Sequence, residues 1–242
     1  FFQSSDNTHR YAEFINGGAV KLRFDNSDKL HTTATGIDVT GTATMDGLTV
    51  DGGVDNSTSY TRFTEFSSGY GFNGAYASYK GSSNELIFGR HNTFDTLTAN
   101  DIPVMSFQRS TGDISFYDDT GTSPALYWDA SAESLGIGTT NPTSYYSGAD
   151  NLVVYQASGE AGITIATANN TTGAIYFADG TTSSEAYQGG IAYNHSSGLL
   201  NLVSGGSTRM TINSTGSVGI GTANPATSAK GLHVVHDANE GT

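Results

Sequence analysis

An all-β fold, built as a series of small modules with almost no helix, is what this sequence predicts, and three observations predict it. Only 36% of the 242 residues are hydrophobic and 31 are glycine, with Thr, Ser and Tyr abundant, a composition of short strands and tight turns rather than helices. Short runs alternate apolar and polar residues with period two, and clusters of Gly, Asn, Asp and Ser separate them. One ending occurs twice: LGIGTTNP from Leu135 to Pro142, and VGIGTANP from Val218 to Pro225. A looser relative, TGIDVTG, spans Thr35 to Gly41. The two close copies lie farther apart than the ~20–50-residue period of a solenoid, which favours serial modules, sandwich-like or intertwined, over a tight coil.

The first module, residues 1–53, contains strand candidates at Val20–Phe24 and Lys29–Thr33 across a DNSD turn, then short alternations at Ile37/Val39 and Leu48/Val50. The second, residues 54–142, is rich in aromatics and offers strands at Leu86–Phe88, Val104–Phe107, Ile114–Tyr117 and Ala125–Trp128, separated by KGSSN, RSTGD and DDTGTS turns. The third, residues 143–225, supplies NLVVYQ, GITIATA, AIYFAD, GGIAYNHSS and LLNLVSGG, and it closes on a hairpin from Ser207 to Pro225. In that hairpin Met210 and Ile212 alternate with Arg209, Thr211 and Asn213, NSTG turns the chain, and Val218 and Ile220 resume the alternation. TSSE at Thr182–Glu185 fits a capping box, but Gly189 and Gly190 limit it to one helical turn. Residues 226–242, with KGLHVVHD, read as the first strand of a further module, and the opening FFQSSDN reads as part of something longer.

A net charge of −13 argues against a nucleic-acid partner, which requires a clustered basic surface. Between Arg109 and Arg209 there is no Lys or Arg but nine acidic residues, which read first as a solvated acidic surface and second as a place for divalent cations between chains. With no cysteine, disulfides and thiolate chemistry are excluded. No apolar run approaches the roughly 20 residues of a membrane-spanning helix, so membrane insertion is not expected. The GIGT segments lack the third glycine and following helix of a dinucleotide site, and no cofactor is expected. His233 and His236 form HxxH on a strand, where odd spacing puts them on opposite faces, so no single-chain metal site is expected.

The phrases VKLRFDNSDKLHTTATGIDVTG, AIYFADGTTSSEAYQGGIAYNHSSGLLNLVSGGSTRMTINSTGSVGIGTANP and GLHVV resemble the repetitive shaft of bacteriophage tail-fibre proteins, particularly those of marine and cyanobacterial hosts. They cover about half the chain, in the first and third modules, and residues 54–109 match only in style. The resemblance implies an elongated homotrimer on the outside of a virion, joined to other tail components and contacting a host cell-surface glycan or protein. A head fibre or a bacterial surface adhesin would show the same composition. A weakly hydrophobic chain of short strands supports self-association independently, because its modules must bury their faces against neighbours or symmetry mates.

Two groups of site residues follow. Tyr60, Tyr70, Phe72, Tyr76 and Tyr79 are either cross-strand packing or a glycan-contacting surface. Ile137 and Ile220, with Met210, Ile212 and Val218, are expected to pack toward the interior or a threefold axis, the two isoleucines buried in matching environments. A glycan-cleaving enzyme is the rival: Asp118 and Asp119 follow Tyr117, and Tyr127, Trp128 and Asp129 come soon after. Yet DDTGTSP reads equally as a turn, and adjacent strand residues face opposite ways, so no catalytic residue is expected.

Overall fold

The structure, a computed structural model, describes residues 2–6, 8–46, 48–50, 58–67, 71–95, 98–225 and 231–235, without the side chains of residues 64–67, 71, 72 and 94. It is all-β, and the helical residues described are three short 3-10 turns. Three open sheets follow one another along the chain. The first holds β1 (Phe2–Gln3), β2 (Arg10–Phe14), β3 (Val20–Phe24), β4 (Ser27–Thr32) and β5 (Ile37–Val39) in sequential order. The second holds β6 (Thr58–Ser67), β7 (Gly71–Lys80), β8 (Glu85–Asp95), β9 (Asp101–Gln108), β10 (Ile114–Tyr117), β11 (Pro124–Asp129), β12 (Ser134–Ile137) and β13 (Leu152–Val154), again in order. The third holds β14 (Thr172–Phe177), β15 (Gly189–Asn194), β16 (Leu199–Ser204), β17 (Ser207–Ile212), β18 (Val218–Ile220) and β19 (Leu232–Val234). Two compact units, Phe1–Leu135 and Gly136–Thr242, divide within β12.

Turn chemistry sets the hairpins. Phe24 pairs directly with Ser27, so the DNSD turn is the two residues Asp25 and Asn26, both at positive φ (50° and 60°), as a tight hairpin twisted like its strands requires. Asn26 also accepts a hydrogen bond from Arg10 N–H at 2.8 Å, tying the turn to β2. At NSTGS, Asn213 Oδ1 accepts from Thr215 N–H at 3.1 Å and Ser217 N–H at 2.9 Å, and Gly216 takes φ 87°. GITIATA is not a strand: Ile163 and Ile165 alternate as a strand would, but the segment joins none of the described ladders. Leu48/Val50 likewise forms no strand. TSSE supplies the 3-10 turn Ser183–Tyr187, but without the expected box: Thr182 Oγ1 donates to Glu185 Oε2 at 2.6 Å, and no side chain caps a backbone N–H.

The hairpin of β17 and β18 forms with Met210 opposite Ile220 and Ile212 opposite Val218. Its dry face is the reverse of the expected one. Thr211 is 0% exposed and Gly219 is buried beside it, while Ile220 is 43% exposed and Met210 and Ile212 are half-buried. The repeated ending explains the inversion. A Cβ on Gly219 would lie 2.8 Å from the Thr222 carbonyl oxygen and 3.2 Å from Pro225, because the loop after Ile220 folds back over the small-residue face. At Gly136 the same Cβ would lie 2.2 Å from the Thr139 carbonyl oxygen, and Pro142 is buried like Pro225. Alternation then sends the intervening isoleucines outward.

The second glycine of each copy has its own task. Gly138 and Gly221 take φ 77° and 72°, and a Cβ there would lie 2.1 Å from the Tyr155 carbonyl oxygen and 2.5 Å from that of Val235. The turn they make brings the next strand alongside: Tyr155 N–H donates to Ile137 O at 2.8 Å, and Val235 N–H to Ile220 O at 3.0 Å. β19 runs parallel to β18. The two endings are therefore one structural unit used twice, a clasp that includes the strand beyond the proline. Leu152–Val154 accordingly closes the second sheet instead of opening the third, and Leu232–Val234 is the last strand of the third instead of the first of another. The 53/54 boundary and most of residues 226–242 lie outside the described residues.

Ile137 and Ile220 do occupy matching environments, but they are 40% and 43% exposed, which corrects the expectation that they lie in the interior of the chain.

Candidate functional site

The second sheet has two unlike faces, and register defines them. On one, Thr61, Ala77, Phe88, Met105, Phe116 and Leu126 form a cross-strand row, flanked by a row from Ser59 through Tyr79, Leu86, Phe107 and Ile114 to Trp128. A shorter third row holds Phe63, Ala75, Arg90 and Ile102. The opposite face carries Tyr60, Arg62, Tyr76, Ser78, Gly89, His91 and Ser106. Large apolar side chains stand open on the first face, with Phe63, Phe88, Phe107 and Phe116 all exposed. The second face is dry and polar: Ser78, Ser106 and Tyr76 are buried, and His91 is 1% exposed.

Tyrosine rings and a charge network cover that polar face. The Tyr76 ring lies where a Cβ of its cross-strand partner Gly89 would be, 2.3 Å away, so the glycine is what lets the ring lie flat. Tyr60 packs on Tyr76 at 5.9 Å between centroids, and the Arg62 guanidinium sits 4.5 Å from the Tyr60 ring centre. Arg62 donates twice to Asp101, at 3.0 and 2.7 Å, in the two-pronged geometry that guanidinium and carboxylate share. His91 Nδ1 is 2.8 Å from Asp101 and its Nε2 is 3.2 Å from Asp95, which accepts from Asn100 Nδ2 at 2.6 Å. Burial pushes the Tyr76 phenol up to about 12, with Asp101 adding to the shift. At Asp101 burial also pushes upward, but the hydrogen bonds from Arg62 and His91 outweigh it and hold the carboxyl below its usual value.

This network has a pH consequence. Asp101 has a depressed folded-state pKa, as do Asp28, held down by hydrogen bonds from Arg23 and Lys21, and Asp113, where bonds from Thr111, Ala130 and Tyr127 overcome burial. A depressed carboxyl contributes stability above its unfolded pKa of about 4, and that stability is lost as pH falls through the folded value. The urea midpoint is therefore expected to stay level down to about pH 5 and to drop below about pH 4. A midpoint unchanged at the acid end would remove these carboxylates from the account.

The aromatic candidates are not brought together. Tyr60 and Tyr76 share the polar face, and Tyr79 is on the other, its hydroxyl donating to Asn84 Oδ1 at 3.2 Å. Tyr76 is 5% exposed, so packing over Gly89 is its role, and the reading of it as a glycan contact is corrected. Tyr70 and the side chain of Phe72 lie outside the described residues.

Two carboxylates of the rival enzyme reading, Asp118 and Asp129, serve their own loops. Asp118 Oδ1 accepts from Thr120 N–H at 3.1 Å, Thr120 Oγ1 at 2.7 Å and Thr122 N–H at 3.2 Å. The Thr120 hydroxyl is the main cause of a lowered Asp118 pKa, the opposite of what a general acid needs. Asp129 accepts in the same way from Ser131 and Ala132, and Tyr127 donates to Asp113 at 2.9 Å. Among the described residues no group of three His, Asp or Glu side chains is arranged to hold a metal ion, and no helix is long and apolar enough to cross a membrane. The Arg62–Asp101–His91 network had no sequence signal, since its members come from three strands.

Large apolar side chains are open in the third sheet as well. Ile175, Ile191, Tyr193, Leu202 and Ile220 lie on one face through their pairings and are all exposed, whereas Ala192 and Thr211 on the other face are buried. In both large sheets the small and polar face is covered and the large apolar face is open. No family model matches the chain, and no curated protein matches it closely enough in sequence to count as a relative.

Proposed function

We propose that the chain is a segment of an elongated, homotrimeric virion fibre of the bacteriophage tail-fibre kind, extracellular, which supports attachment to a host cell surface by rigid, multivalent display rather than by bond-making. The observation that carries the reading is the surface the single chain leaves open. In the single chain the two larger sheets each leave their large apolar side open, with Phe63, Phe88, Phe107 and Phe116 exposed on the second and Ile175, Ile191 and Ile220 on the third, and open apolar surfaces of this kind mark sites of association. Chains of this kind become stable by closing on copies of themselves, which also hides the strand edges. The resemblance of the first and third modules to fibre shafts supplies the virion context.

The test is the mass of the purified chain in solution. Sedimentation equilibrium is expected to give three times the 25.2 kDa chain mass at micromolar concentration. A monomer would overturn the reading. The attachment half is tested by binding the labelled assembly to bacteria with and without their surface polysaccharide, and release of new reducing ends would instead favour the glycan-cleaving alternative.

A further inference from the structure

We infer that copies of this chain meet through the phenylalanine face of the second sheet, the side bearing Phe63, Phe88, Phe107 and Phe116; the inference rests on the homo-oligomeric reading above. Those four rings lie on one side of β6–β10 and are 40–67% exposed. The opposite side needs no partner, because Tyr76 covers Gly89 and the Ser106 and Tyr117 hydroxyls bond each other at 3.0 Å. One side of the sheet is thus finished by its own chain, and the other is not.

Charge identifies the occupant as a second copy. The chain carries −13, so most surfaces that meet their own copy would bring acidic groups together. In the three cross-strand rows of this face Arg90 is the single charged residue, and its guanidinium is engaged by the Asp119 backbone carbonyl. Arg62, His91 and Asp101 belong to the other side. Glu65 follows Phe63 on the same side of β6 but lies beyond these rows, and rows with no acidic residue, in a strongly acidic chain, can approach their own image without acid–acid repulsion. Identical faces turned toward a common axis at the ~10 Å spacing of packed sheets would cover all four rings and satisfy closed symmetry. A carbohydrate would instead call for hydrogen-bonding groups at the centre of the face, where the row through Phe88 and Phe116 carries Thr61 as its one polar side chain; Ser59, Tyr79, Trp128 and Arg90 lie in the flanking rows.

The chain has no cysteine, so a single introduced thiol reports one position. Pyrene attached through Thr61→Cys, in the row of Phe88 and Phe116, is expected to show excimer emission that disappears when labelled chains assemble with excess wild type. Pyrene attached through Lys80→Cys, on the other side, is expected to show none. In parallel, the double variant F88D/F116D should raise the concentration of half-dissociation at least about 30-fold, as loss of central apolar anchors does. A wild-type monomer would sink both this inference and the homotrimer. A wild-type trimer with excimer from Lys80→Cys alone, or with the double variant assembling as tightly as wild type, would sink the face and leave the trimer standing. If the double variant fails to fold, the excimer pair decides.

Discussion

Alanine at Gly138 is expected to destabilise the protein by about 3 kcal/mol or more, lowering the melting temperature by about 6–12 °C in a chain of this length. Two separate terms produce that effect. Gly138 sits at φ 77°, where an L side chain costs about 1–2 kcal/mol. The added Cβ would also lie 2.1 Å from the Tyr155 carbonyl oxygen, a backbone atom that cannot move without pulling on the Tyr155-to-Ile137 hydrogen bond. Gly221→Ala should behave alike, since its Cβ would meet the Val235 carbonyl oxygen at 2.5 Å. Gly162→Ala is the control. It faces open space without a positive φ and should change stability by less than about 1 kcal/mol. Equal melting curves for Gly138→Ala and Gly162→Ala would show that the clasp contributes no stability.

The clasp also shows how far the sequence can be read. Repetition of GIGT-x-NP marked Leu135–Pro142 and Val218–Pro225 as equivalent, and their conformations agree down to the φ of the second glycine. Repetition could not say which way each isoleucine points. In an isolated sheet the apolar residues of an alternating strand are expected to face the dry side, but here the returning loop lies over the glycines, leaving Ile137 and Ile220 open. Period-two alternation located β3, β10, β11 and the hairpin of β17 and β18, where paired backbones agree with the pattern. It misled at GITIATA, because alternation reports where side chains go and a strand also needs a backbone partner. The aromatic cluster was legible as packing at Tyr76, although the glycine it covers comes from the next strand. The ionic network was not legible at all: Arg62, His91 and Asp101 are juxtaposed only by the register of β6 through β9.

That network should give the other large effect. Asp101→Ala is expected to cost about 3 kcal/mol, because it takes from the part-buried Arg62 guanidinium and the buried His91 the carboxylate that faces both. The Asp101 side chain is 6% exposed, so water cannot replace the lost oxygens. The magnitude reflects broken pairing more than net attraction, since bringing the two charges out of water cancels much of their mutual gain. A double variant separates the two. Replacing Arg62 with Met and Asp101 with Leu removes both charges, and it should recover most of the loss, with the remainder assigned to the His91 Nδ1 that has lost its 2.8 Å partner. Urea titration of the three proteins at neutral pH gives the comparison. A double variant as unstable as Asp101→Ala would mean that the pair itself, rather than the cost of stranding one of its charges, holds β6 to β8 and β9.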